Sequence, residues 1–133
     1  MQQETDELIR LHQAVLQAHL DGDVEALLAA EPADYVVANR GEISHPSLEE
    51  RRSMFSQYLG RTEFSAYRDL VEPVVRVSAG GTLGWVIAQV EARGIQMTAE
   101  GPQPLEFISA WIELYEKRDG RWWRIGNVSN FKT

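Results

Sequence analysis

Three histidines, twenty carboxylates and no cysteine bound the chemistry open to this chain. Without a thiol there is no disulfide, thiolate nucleophile or thiolate metal site. His12 and His19 stand seven residues apart, whereas a two-histidine clamp on a helix uses a spacing of four. No other grouping of histidines and carboxylates has ligand spacing, so neither a metal nor a cofactor is expected. Acid–base chemistry remains. Glu91 is the leading candidate, because it shares a β-patterned segment with Trp85 and Gln89. Enclosed by indole rings, a carboxylate is penalised more than its acid, which would raise its pKa and suit it to proton transfer. The plainer alternative is an ion pair with Arg93 or an arginine on a neighbouring strand. His45, beside Pro46, is a second candidate, since imidazole titrates near neutrality; the alternative is an exposed loop residue. Glu113 ranks below Glu91 because it nears a hairpin end.

The elements that must position these groups are legible. Leu8, Leu11, Val15 and Ala18, with Ile9, Leu16 and Leu20 beside them, keep the 3.6 period and predict a helix over 5–20. Asp21-Gly22 ends it, and Asp23 caps a short helix, 24–30, stopped by Pro32. Residues 34–39 are β-rich and precede a turn at Arg40-Gly41-Glu42. Ser47-Leu48-Glu49-Glu50 forms a capping box that opens a helix running to Leu59. Four longer β-patterned segments follow, at 63–78, 82–93, 105–117 and 121–131. Pro73 predicts a bulge, bend or edge in the first. Residues 94–104, with Gly94, Gly101, Pro102 and Pro104, predict the longest loop, a candidate pocket rim or a disordered tip. Asp119-Gly120 predicts a tight hairpin before Trp122-Trp123. Helices first and antiparallel strands after make one α+β domain over 1–133.

The formal charge of −7 opposes binding to nucleic acid and adsorption to anionic membranes. No apolar run approaches the length of a membrane span, and the acidic start lacks an apolar signal core. The expectation is a soluble, cytoplasmic protein.

The leading helix ending in Asp21-Gly22-Asp23, the short helix, Tyr35–Asn39 before Gly41, the capped helix 48–59 and the closing Lys117-Arg-Asp-Gly-Arg-Trp-Trp-Arg-Ile together resemble the nuclear-transport-factor-2-like superfamily, on its SnoaL-like and ketosteroid-isomerase-like side. The resemblance covers nearly the whole chain. It implies a cone-shaped, curved antiparallel sheet packed on three helices from the N-terminal half and enclosing a pocket. It also implies a range of activities, from isomerases, cyclases, dehydratases and epoxide hydrolases to non-catalytic binding or dimerisation modules. In the isomerases the catalytic base is an aspartate at the end of the first strand; Asn39 stands nearest that position and cannot take up a proton. Trp111 stands near their second aspartic acid. Glu91 and Arg93 mimic part of the Asp-Arg-Asp set of limonene-epoxide-hydrolase-like members, but the last strand carries no carboxylate.

Strand parity offers two faces. One face of 105–117 is apolar (Ile108, Ala110, Ile112, Leu114), and the other is mixed (Phe107, Ser109, Trp111, Glu113, Tyr115). In 82–93, Val86, Ala88 and Val90 are apolar, while Trp85, Ile87, Gln89 and Glu91 are mixed. Trp123, Ile125, Asn127, Ser129 and Phe131 share a face, as do Tyr35, Val37 and Asn39. Pockets combine apolar walls with a few polar points. On that basis Trp85, Phe107 and Trp111 would be walls, with Tyr35, Asn39, Gln89, Ser109, Asn127 and Ser129 as polar points around Glu91. In the opposite arrangement the mixed faces lie outside and the apolar faces form the core. An aromatic outer face would also make the chain a homodimer. Two functions stay open: an acid–base enzyme acting on a hydrophobic small molecule, or a ligand-binding or dimerisation module.

Overall fold

The computed structural model describes residues 2–132. Its elements run α1 (Gln2–Asp21), α2 (Val24–Leu28), β1 (Val36–Asn39), β2 (Glu42–Ser44), α3 (Leu48–Gly60), β3 (Thr62–Asp69), β4 (Val74–Val77), β5 (Leu83–Thr98), β6 (Gly101–Arg118) and β7 (Arg121–Phe131). The seven strands make one curved, unclosed sheet in the order β2-β1-β7-β6-β5-β3, with β4 also on β5. No helix among the described residues is long and apolar enough to cross a membrane.

Local signals set the boundaries. Asp23 accepts from the Ala26 amide, and Ser47 and Glu50 close a reciprocal capping box at the start of α3. Asp119 and Gly120 both have positive φ, 52° and 78°, as a tight hairpin between twisted strands requires.

Three expectations are corrected. The sheet is mixed, because β1 lies parallel to β7, with Val37 opposite Asn127. Only neighbours joined by a tight turn must be antiparallel, and β1 and β7 are separated by most of the chain. The 63–78 segment is two strands that share one edge of β5: β4 along Gly84–Ile87 and β3 along Val90–Gln96. Residues 94–104 are not a loop but the far ends of β5 and β6, paired from Gly94–Leu105 to Thr98–Gly101. The prolines fit because Ile108 accepts from the Lys132 amide on the β7 side. By parity Pro102 and Pro104 turn their nitrogens to that same side, beyond the last β7 pairing at Ser109–Phe131. Gly94 is required there. An added methyl would overlap the Glu63 carbonyl oxygen and lie 2.9 Å from Phe64 Cα.

Register decides which faces meet. Ala88 is opposite Trp111 and Val90 opposite Ser109, while Glu91 is opposite Ile108 and Gln89 opposite Ala110. Directly opposed residues share a face. The apolar face of β5 therefore joins the mixed face of β6 on the concave side. Leu16, Leu27, Leu59, Phe64, Tyr67, Ala88, Val90 and Ala92 bury one core there, beneath α1 and α3. A second core joins Leu8, Val75, Val86, Tyr115 and Trp122. In β7 the register shifts between the Leu114 and Tyr115 partners, leaving Ile125 as an extra residue. Such a bulge reverses parity. Asn127, Ser129 and Phe131 stay on the concave face, but before the bulge Trp122 and Arg124 are the buried residues, while Trp123 is only half-buried.

Candidate functional site

The concave face encloses a cavity of about 540 Å³. α1 contributes Val15 and His19; β1 contributes Tyr35, Val37 and Asn39; α3 contributes Phe55 and Tyr58. Tyr67 enters from β3, Phe107, Ser109, Trp111 and Glu113 from β6, and Asn127, Ser129 and Phe131 from β7. The aromatic walls support one another: Tyr67 packs edge-on to Phe64 and Phe107, and Phe107 edge-on to Phe131.

Beneath these walls lies a buried ionic network. Glu113 Oε2 accepts from Trp111 Nε1 at 2.6 Å and faces His12 Nδ1 at 2.6 Å, while Oε1 accepts from the Tyr115 hydroxyl at 2.6 Å. The other imidazole nitrogen, Nε2, faces Asp69 Oδ1 at 2.8 Å. Both ring nitrogens meet carboxylate oxygens, so both must carry protons when Asp69 and Glu113 are ionised. Burial alone would push the His12 pKa down. The hydrogen bonds and charges of Glu113 and then Asp69 outweigh it and raise the pKa to about 9. Burial likewise favours the neutral form of Glu113, but the bonded His12 imidazolium and the Arg124 charge hold its pKa below the usual glutamate value.

A second network ties α3 to β7. Glu31 accepts from Arg51 at 3.0 Å and from Arg124 at 3.2 Å. Arg51 also donates to the carbonyls of Pro32 and Pro46, and Arg124 to that of Leu27. Arg124 reaches the Tyr115 hydroxyl at 3.5 Å, joining the two networks. Arg51 also stacks over the Tyr35 ring, 5.0 Å from its centroid.

His19 differs from His12. It stacks on Tyr67 with centroids 4.0 Å apart, and burial lowers its pKa to about 4. The ring is therefore neutral. Its Nδ1 lies 2.8 Å from the Val15 carbonyl, which can only accept, so the proton sits there. Nε2 is left as an acceptor with no partner among the described residues.

The structure brings together Tyr35, Asn39, Phe107, Ser109, Trp111, Asn127 and Ser129 around the cavity, and Asn39 donates to the Ser129 hydroxyl at 3.2 Å. It leaves Trp85, Gln89, Glu91 and His45 outside the lining. Glu91 is corrected by register: it lies on the other sheet face, paired with Arg93 at 2.5 Å and Arg68 at 3.3 Å. The hydrogen bond from Arg93 lowers its pKa, the reverse of the expected direction. His45 is exposed between β2 and the α3 cap.

Sequence reasoning left His12, His19, Glu31, Arg51, Asp69 and Arg124 out of the site and ranked Glu113 below Glu91. His12 stands four residues from both Leu8 and Leu16, in the middle of a buried stripe, and that spacing was its signal. Arg124 had no such signal, because the bulge that turns it inward is invisible in the pattern.

No protein-family model and no curated protein matches the chain. Solved structures do. An NTF2-like protein from Cytophaga hutchinsonii superposes with a TM-score of 0.75 at 19% identity, covering 96% of this chain and 97% of that one. A ketosteroid isomerase-like protein from Erwinia carotovora atroseptica gives 0.77 at 17% identity, covering 100% and 99%. The fold is NTF2-like. A protein with a cystatin-like fold from Caulobacter vibrioides gives 0.74 at 17% identity, covering 98% and 91%. Identities this low establish the NTF2-like architecture and leave the chemistry to the residues present.

Proposed function

We propose that this NTF2-like chain binds a largely hydrophobic small molecule in the concave cavity, without a cofactor. The observation that carries the reading is an aromatic-walled cavity of about 540 Å³ whose deep charges are already compensated by one another. That size falls within the range of small-molecule sites. Glu113 has three donors, and His12 has both nitrogens committed. Neither is free to trade a proton with a ligand, so both act as a rigid floor. Asn39, Asn127 and Ser129 supply the polar points that would orient it.

One observation favours the alternative, an acid–base enzyme. His19 is neutral and in the cavity wall, with no partner for Nε2 among the described residues. In that case His19→Gln abolishes turnover and leaves binding intact. We further propose a homodimer through the outer sheet face, where Ile87 and Val128 are 40% and 41% exposed and Trp85, Ile108, Ile112 and Leu114 are half-buried around them. Sedimentation would then give twice the 15.1 kDa chain mass.

The direct test is titration with the neutral fluorescent probe N-phenyl-1-naphthylamine. Saturable binding that disappears in Val37→Trp, with an unchanged circular dichroism spectrum, supports the reading. Equal binding by the blocked variant refutes it.

A further inference from the structure

Building on the cavity reading, we infer that the ligand is amphipathic and anionic, with its carboxylate held at the cavity mouth by Arg40 and Arg61. The charge distribution is the first ground. The chain carries twenty acidic and thirteen basic side chains, yet four arginines line the cavity against only two glutamates. The inner charges cancel: Arg51, Arg124 and the His12 imidazolium are matched by Glu31, Glu113 and Asp69. The surplus belongs to Arg40, at the β1–β2 turn, and Arg61, at the α3–β3 junction. Both are exposed, and neither guanidinium has a hydrogen-bond or ion-pair partner among the described residues.

Position is the second ground. Arg40 and Gly41 have φ of 53° and 79°, the pair of positive values that a two-residue turn closing Asn39 on Glu42 requires, and this turn sets Arg40 on the cavity lining. Arg61 also suits the carbonyl end of α3, but Arg40 closes no helix.

The chemistry follows from the two zones. The aromatic walls take the apolar body, and two guanidinium groups, each able to present paired N–H donors, take a planar carboxylate. An uncharged ligand would leave both rim arginines idle.

Decanoate and decanol, matched in chain length and differing in charge, test this by calorimetry at neutral pH. Decanoate should bind about tenfold more tightly, the sum of two partly exposed ion pairs. Arg40→Gln and Arg61→Gln should each reduce that preference, and the double variant should bring it below about twofold. Added salt should weaken decanoate and leave decanol unchanged. Decanol binding as tightly as decanoate, or a preference that survives the double variant, overturns the anionic assignment while the cavity reading stands. Failure of both probes to bind overturns the cavity reading as well.

Discussion

Replacing His12 with glutamine should remove most of the pH dependence of stability on the alkaline side of neutrality. The folded-state pKa is raised from 6.5 to about 9, so the folded chain keeps a proton that the unfolded chain releases. Its stabilisation is complete below about pH 6.5 and is lost as pH rises through about 9. The displacement corresponds to about 3 kcal/mol, a large part of a typical domain's stability. His12 is fully buried, so solvent screening does not discount it. His12→Gln offers Glu113 a neutral donor at best and removes the cation that Glu113 and Asp69 share, costing about 3–5 kcal/mol near pH 6.5. The gap between native protein and variant should narrow toward pH 9.5, where the native imidazolium has discharged. Urea unfolding followed by tryptophan fluorescence across this range measures both curves. A native protein whose stability is flat between about pH 6.5 and 9, or a variant that retains the native slope, would refute an imidazolium shared by Glu113 and Asp69.

His19 should govern the opposite flank. Its folded pKa is lowered to about 4, so between about 6.5 and 4 the unfolded chain takes up a proton that the folded chain refuses, and stability falls as pH falls. His19→Gln should flatten that acid slope, and an unchanged slope in the same urea series would disprove the assignment. Gly94→Ala should cost at least about 2 kcal/mol by pushing β5 off the Glu63–Phe64 backbone; a variant as stable as the parent would contradict the close approach. Glu91→Gln should leave probe binding unchanged, because its partners are Arg68 and Arg93 on the other sheet face. Loss of binding in that variant would restore Glu91 to the site.

The fold was legible because its punctuation is local. The Ser47 capping box, the Asp119-Gly120 turn and the stripe on α1 each declare themselves within a few residues. Strand neighbours and register are set by contacts between distant residues, and there the reading faltered. Joining the mixed face of β5 to the mixed face of β6 placed Glu91 in the pocket, whereas the pairing of Glu91 with Ile108 puts it outside. The same parity argument put Phe107, Ser109 and Trp111 on one face, and β6 stays regular through them, so all three line the cavity. Glu113 was undervalued for its nearness to the hairpin. Its burial comes from α1, which delivers His12 from 101 residues away. The prolines and glycines of 94–104 suggested a loop. They mark instead an open sheet edge and one tight strand crossing.

The most direct test of a concave-face site reads the tryptophan side chains. The chain has four, so its indole N–H groups give four resolvable nitrogen–proton correlations in a labelled sample. Trp111 lines the cavity and donates to Glu113, whereas Trp85 is outside the lining on the outer face and Trp123 packs under Arg121, 3.8 Å from the guanidinium carbon. Titration with decanoate should shift the Trp111 signal saturably and leave those of Trp85 and Trp123 in place. Shifts at Trp85 and Trp123 with Trp111 unmoved would put the ligand on the opposite side of the sheet and contradict the account.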